Sequence, residues 1–505
     1  MVEYYIGIDS GTQSTKAVVI DGESGQVVGS AVKRYGIIEG LPQGHKEQHP
    51  STWIEAFTET VRRSVEKSGI DPRQVKALGV SGQQHGFVPL DNKNSVIRPA
   101  KLWNDTSTVE ECQILINALG GREEVIRLIG NSIPPGFTAS KILWLKRKEP
   151  WNYDRLATVL LPHDYLNFYL TGELSMEYGD ASGTALMDVR KRRWSEELVE
   201  AIDPRLIDKL PPLHSSAEPS GLVKKEVAES LGLDEDVMVS AGGGDNMMGA
   251  IGTGNTRPGI VTVSLGTSGT IYAYTEKPVI DPLGEVAAFC DSTDGWLPLV
   301  CTMNVTVATE LIRSLFGYSH EELARAVEST SPGSGGLVLL PYFNGERTPD
   351  LPKGTGVYYG LTEETFKAGH LARAAMEGVT MGLNYGFNRL KAIGVKPVEL
   401  RLTGGGARNV PWRRIAADVF NCEVVTLTEE EGAAYGAALQ AMWCRQRELG
   451  EEVSIGTITD EFVKVDEGSR VQPDQRNVEI YMEMQAFLDR LSMDLQESYK
   501  DRPIP

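Results

Sequence analysis

The chain has 505 residues, which at about 150 residues per domain suggests two large domains or three ordinary ones. Hydrophobic residues make up 41% and charged residues 24%, a globular composition that excludes disorder, fibre and membrane classes as descriptions of the whole chain. The 50 Lys and Arg oppose 69 Asp and Glu, for a net charge of −19, and a field of that sign disfavours nucleic acid and anionic membrane as partners.

Residues 4–8 read as a buried strand, 9–14 as a tight turn around Gly11, and 15–20 and 26–34 as two more strands, so the chain opens on a hairpin. Pro50 and Ser51 then open a helix with Trp53, Ile54, Phe57, Val61 and Val65 on one face. Residues 75–80 form a short strand that ends in the polar loop Ser81, Gly82, Gln83, Gln84, His85, Gly86. Strands alternate with helices from there on, which predicts an α/β fold. Far downstream, residues 259–263 lead through Gly266, Thr267, Ser268 and Gly269 into 271–273, repeating the strand, Gly-Thr turn and strand of the N-terminus. This repeat predicts a duplicated domain, with a boundary near 248–258. Residues 398–402 read as a strand, Gly404 to Gly406 as a tight turn, 411–420 as a helix, 423–427 as a strand, and 429–438 as the start of a helix whose small residues permit close packing. An exposed terminal helix is expected over 477–499.

Several of these segments suit phosphate chemistry. Glycine lets backbone approach a ligand, and turn N–H groups with Ser or Thr hydroxyls can grip phosphate oxygens. An ordinary hairpin turn explains one such copy; two related copies favour phosphate. Asp9, inside the first turn, is placed to hold Mg²⁺ through water, although Asp is also a common turn cap. Asp245 follows Gly242, Gly243 and Gly244 at an expected helix start. There the N-terminus favours an ionised carboxylate, which could accept the proton of an attacking hydroxyl; the competing reading is a plain N-cap. Three glycines argue for something bulky against the backbone. Gln83, Gln84 and His85, and separately Trp103, Asn104 and Asp105, are polar clusters suited to a polyol. Gly404 to Gly406 with Asn409 could admit a nucleotide, but Asn409 stands where a dinucleotide fingerprint needs its third glycine. The chain lacks even a Gly-Lys dipeptide, which excludes a P-loop. The five cysteines (Cys112, Cys290, Cys301, Cys422, Cys444) form no CxxC. The residues at the start of this sequence do not read as a secretion signal, and no apolar stretch reaches the ~18 residues of a membrane span. A cytoplasmic location is expected.

Taken together, the segments resemble the FGGY carbohydrate kinases over nearly the whole chain. The run from Gly136 through Lys141 and Trp144 to Leu145 is similar to the first family signature, and the stretch from Gly356 to Leu361 with His370 to Glu377 is similar to the second. The resemblance implies two actin-like, ribonuclease-H-like domains flanking a deep cleft, with 1–250 on the sugar side and 251–505 on the ATP side. It implies ATP and Mg²⁺ as cofactors, a small-molecule sugar as partner, and scope for a homodimer. Within the family, the runs at 81–86, 102–105, 161–166, 242–246 and 345–349 are similar to those of kinases acting on xylulose. Gln84 stands where Met is frequent there, His163 where Lys is, and Thr106-Ser107 where Gly-Arg is. The implied reaction is phosphorylation of D-xylulose to D-xylulose 5-phosphate; another ketose or polyol, such as ribulose or L-xylulose, stays open, as does a non-catalytic actin-like ATP-binding protein. Residue by residue, the resemblance gives Asp245 the base and Asp9 the carboxylate near Mg²⁺. It gives Gln84, His85 and Asn246 the sugar, which Trp103 joins as part of its own polar cluster. Thr12, Gln13, Ser14, Gly266 and Thr267 face the phosphates, and Gly405, Gly406 and Asn409 the adenosine.

Overall fold

The computed structural model describes residues 2–429 and 432–501. The chain forms two compact units, and they are not two continuous halves. The first comprises Met1–Arg257, Tyr274–Leu297 and Glu431–Val463; the second comprises Pro258–Ala273, Pro298–Glu430 and Lys464–Pro505.

In the first unit, the opening hairpin pairs β1 (Tyr4–Ser10) with β2 (Ser14–Asp21), and β2 continues antiparallel to β3 (Val27–Arg34). The helix α1 (Pro50–Ser68) starts at a proline, ends at Gly69 in the left-handed conformation, and buries Trp53, Phe57, Val61 and Val65. β4 (Val75–Gly82) then adds to β1 in parallel, and β5 (Met238–Val239) and β6 (Gly243–Gly244) add to β4 in parallel. The main order in this seven-stranded sheet is therefore β3-β2-β1-β4-β5, with the short strand Gly221–Leu222 at the edge beyond β5. Ile6, Ile8, Leu78 and Val80 from the strands join Trp53, Phe57 and Val61 in one core.

The helix Gly432–Glu448 lies on this same sheet, although it is encoded near the C-terminus. Its approach is so close that a Cβ on Gly7 would stand 1.8 Å from the Ala434 carbonyl oxygen. It also packs against the helix α2 (Asp245–Gly252): a Cβ on Gly436 would stand 1.8 Å from the Met248 carbonyl. The small residues expected over 429–438 thus permit a close helix–sheet and helix–helix contact, with Glu430 and Glu431 lying outside the described residues.

The second unit repeats the plan. β7 (Ile260–Leu265) pairs antiparallel with β8 (Gly269–Ala273), which pairs antiparallel with β9 (Trp296–Thr302). On its other side β7 is parallel to β10 (Glu399–Thr403), and β10 to β11 (Glu423–Leu427). The order β9-β8-β7-β10-β11 matches β3-β2-β1-β4-β5 strand for strand. Two such units make the actin-like, ribonuclease-H-like α/β fold that the family resemblance implies, and they bear out the duplication that the two turns predict. The terminal helix differs from expectation. It spans Gln475–Asp494 and, rather than being wholly exposed, buries Val478, Tyr481 and Leu488. Its Tyr481 hydroxyl donates to Glu377 at 2.7 Å and accepts from Arg373 at 2.9 Å. Among the described residues, no helix is long and apolar enough to cross a membrane, and all five cysteines are free thiols.

Candidate active site

In the first unit, β1, β4 and β6 run parallel and in register, with Asp9 beside Ser81 and Ser81 beside Gly243. Asp9 and Asp245 therefore emerge at the same carboxyl ends of the strands, where open α/β sheets place their ligands. The Ser81 hydroxyl donates to Asp9 Oδ1 at 3.0 Å. Burial pushes the Asp9 carboxyl above its ordinary range, against the Ser81 hydrogen bond and the charge of Lys16. Asp245 is the first residue of α2, and the cap position belongs to Gly244, so the helix does not need Asp245 as its N-cap. Asp245 Oδ1 accepts from the Asn246 main-chain N–H at 2.8 Å and from its side-chain amide at 3.0 Å. Burial pushes the Asp245 carboxyl up to about 7, and the neighbouring Asp9 charge adds in the same direction. A carboxylate held near neutrality is suited to take a proton. Asp9 supplies hard oxygen donors, and the repulsion it exerts on Asp245 is what a divalent cation would relieve. The donor set fits Mg²⁺.

The glycines before Asp245 are explained by the protein itself rather than by a ligand. A Cβ on Gly244 would stand 2.6 Å from Gln84 Cγ, one on Gly243 2.1 Å from the Ser292 hydroxyl, and one on Gly242 2.5 Å from the Val80 carbonyl. Gln84 thus lies against the turn that carries Asp245. Its side-chain carbonyl accepts from the Asn246 amide at 2.8 Å. His85 adopts a positive φ of 61°, and its ring packs on Phe137 and Phe289, with centroids 4.3 and 5.6 Å away. Gln84, His85, Asn246 and Asp245 are in this way brought together.

Trp103 joins them through the first turn. Its indole N–H donates to the Thr12 hydroxyl at 3.0 Å, and that hydroxyl donates to Gln83 at 3.1 Å. Thr12 is therefore tied into the polar cluster, whereas Gln13 is exposed and Ser14 half-buried. Nearby in the chain, the Lys101 ammonium lies over the Trp144 ring and contacts Asp105 at 3.1 Å, Glu47 at 3.2 Å and His45 at 3.3 Å. His45, Glu47 and Asp105 are the one metal-like group among the described residues, and this ammonium already sits among them.

The second unit carries its own glycine cradle. Thr267 is exposed in the β7–β8 turn, and the main-chain N–H groups of Val305 and Thr306 donate to the Thr267 and Gly266 carbonyls, both at 3.0 Å. Gly404 and Gly406 press on Leu265: a Cβ on either would stand 2.8 Å from a Leu265 atom. Gly405 faces open space: among the described residues, no atom beyond its chain neighbours lies within 4 Å of where its Cβ would be. Asn409 caps the helix Val410–Phe420, its side chain accepting from the Trp412 N–H at 3.0 Å.

Residue types alone missed three contributors. Ser81 holds Asp9, Phe289 packs on His85 from 204 residues away in sequence, and Lys141 supports His85 from behind. Lys141 was visible only as part of a signature, with no physical role. Phe289 had no local signal at all.

The family model described as "FGGY family of carbohydrate kinases, N-terminal domain" matches residues 4–252, and that for the C-terminal domain matches 261–444. A xylulose kinase of Haemophilus influenzae is 43% identical over 495 residues, which is 97% of this chain and 99% of the relative. Among solved structures, a "xyloylose kinase" from Brucella ovis superposes with a TM-score of 0.90 at 31% identity, covering 98% of this chain and 99% of that one. A gluconate kinase from Lactobacillus acidophilus superposes with a TM-score of 0.92 at 25% identity over 100% of both chains.

Proposed function

The chain belongs to the FGGY family of carbohydrate kinases, and from that premise we propose that it transfers the γ-phosphoryl group of ATP to the terminal hydroxyl of D-xylulose, giving D-xylulose 5-phosphate and ADP. The observation that carries the reading is the Asp245 carboxyl. It is held near neutrality at the carboxyl ends of parallel strands and bonded through Asn246 to Gln84.

In this reading, Gln84, His85, Trp103 and Asn246 orient the ketose by hydrogen bonds and an aromatic face. Asp245 accepts the proton of the terminal hydroxyl as its oxygen attacks phosphorus, a contribution of roughly 10²–10⁴-fold. Asp9 would hold Mg²⁺ through water, since that ion keeps its hydration readily. Mg²⁺ would supply charge neutralisation to the phosphates. The first turn (Thr12, Gln13, Ser14) and the second (Gly266, Thr267) face phosphate oxygens, and Gly405, Gly406 and Asn409 face adenosine. The open space at Gly405 supports that assignment. The first unit, which holds most of 1–250 together with 274–297 and 431–463, then forms the sugar side, and the second unit the ATP side. A cytoplasmic location accords with the free thiols, and a homodimer would be checked by light scattering.

The test is a sugar panel with coupled ADP detection: D-xylulose, L-xylulose, ribulose, glycerol and gluconate. Gluconate is included because of the structural likeness to a gluconate kinase. Turnover highest with D-xylulose supports the reading, and a clear preference for another member reassigns the substrate.

A further inference from the structure

Lys141 lies on the helix Thr138–Lys148 and is fully buried. Its bonding partners are main-chain carbonyls rather than carboxylates. The ammonium donates to the His85 carbonyl at 2.6 Å and also to the Gly136 carbonyl. Burying an ammonium on neutral acceptors costs stability, and desolvation pushes this amine down to about 7. An apolar side chain of similar length would fill the same space without that cost, so packing does not explain a lysine here.

What the ammonium holds is specific. His85 is a non-glycine residue with φ of 61°, a strained backbone that persists only when its surroundings fix it. Two donors fix its carbonyl: Lys141, and the Thr138 hydroxyl at 3.1 Å. Gly136, the second acceptor, has φ of 100°, and a Cβ there would stand 2.2 Å from the Trp103 carbonyl. The Gly136 turn is therefore pressed against the main chain of Trp103. One buried amine, through its two hydrogen bonds, joins the loop that presents His85 to the loop that backs Trp103.

We propose that Lys141 is a positioning residue for the sugar, holding the His85 loop and the Gly136 turn behind Trp103 in their binding geometry. The proposal rests on the reading of His85 and Trp103 as sugar contacts. Lys141 touches neither sugar nor nucleotide. Its loss should therefore act on ketose binding and leave nucleotide binding alone.

Lys141→Met keeps most of the side-chain length and removes the charge and the donors. The KM for D-xylulose is expected to rise about tenfold or more, since small misplacements of binding groups are costly, while the KM for ATP stays within about twofold. The rise in thermal midpoint caused by D-xylulose should shrink, and the rise caused by ATP should persist. Thr138→Val removes the second donor to the same carbonyl and is expected to raise the ketose KM by about two- to threefold. It decides the matter if Lys141→Met does not fold. An unchanged ketose KM in the variants that fold overturns the proposal, as does an equal rise in both KM values, the mark of general damage. Wild-type protein inactive on every sugar overturns the functional reading, and this proposal with it.

Discussion

The side-chain amide of Asn246 donates to the Gln84 carbonyl at 2.8 Å, joining residues 162 apart in the chain. The same amide reaches the Asp245 carboxylate at 3.0 Å. A group assigned to the sugar and the group assigned as base therefore share one donor. Asn246→Ala is expected to raise the ketose KM and lower kcat together, each by about tenfold. Steady-state kinetics with both substrates varied would check this; a change in the ATP KM alone would contradict it.

Asp245→Asn keeps the shape and removes the proton acceptor. Its kcat should fall by roughly 10²–10⁴-fold, while calorimetric titration should find ATP binding intact. Turnover near wild type would mean that another group takes the proton.

Because burial and Asp9 push the Asp245 carboxyl up to about 7, activity should be lost as pH falls through that value, giving an acid limb in kcat/KM that Asp245→Asn lacks. The same shift predicts a stability effect of fixed sign. A carboxyl raised in the folded state stabilises the fold below its unfolded value of about 4 and loses that contribution as pH rises through 7. In EDTA, Asp245→Asn should then melt higher than wild type at pH 8, and the difference should vanish below pH 4.

Gly405→Ala separates a ligand cradle from a packing site. Among the described residues, no atom beyond the chain neighbours lies within 4 Å of the added methyl, so urea unfolding should change by less than about 0.5 kcal/mol. The KM for ATP should rise severalfold if adenosine lies there.

Gly436→Ala tests the opposite case. The new methyl would stand 1.8 Å from the Met248 carbonyl, and the helix carrying Asp245 would have to move. A loss of about 1–3 kcal/mol or more is expected in urea unfolding.

Local chemistry was legible in the sequence wherever neighbours in the chain are neighbours in space. The two Gly-Thr hairpins, the Asp9 turn and the helix start at Asp245 are all of this kind, and the duplicated turns do mark a duplicated sheet order. What the sequence concealed depends on distant encounters. The glycines before Asp245 suggest a bulky ligand, yet Gln84, Ser292 and Val80 occupy that space. Lys141 sits in a helix ending in Lys146, Arg147 and Lys148 and looks like another solvent-facing cation; only the loops at His85 and Gly136 make it a buried one. The terminal helix carries Met482 and Met493 on its exposed side, and nothing local reveals that Tyr481 turns inward to Glu377 and Arg373.

The helix Gly432–Glu448 covers the sheet that begins at Tyr4. A ribosome that has finished residue 257 has made most of the first unit but not the segment that covers its central strands. The nascent N-terminal part must stay uncovered there until nearly nine-tenths of the message has been translated, so a fragment ending at the first unit's apparent boundary would be an unfinished protein rather than a free-standing domain.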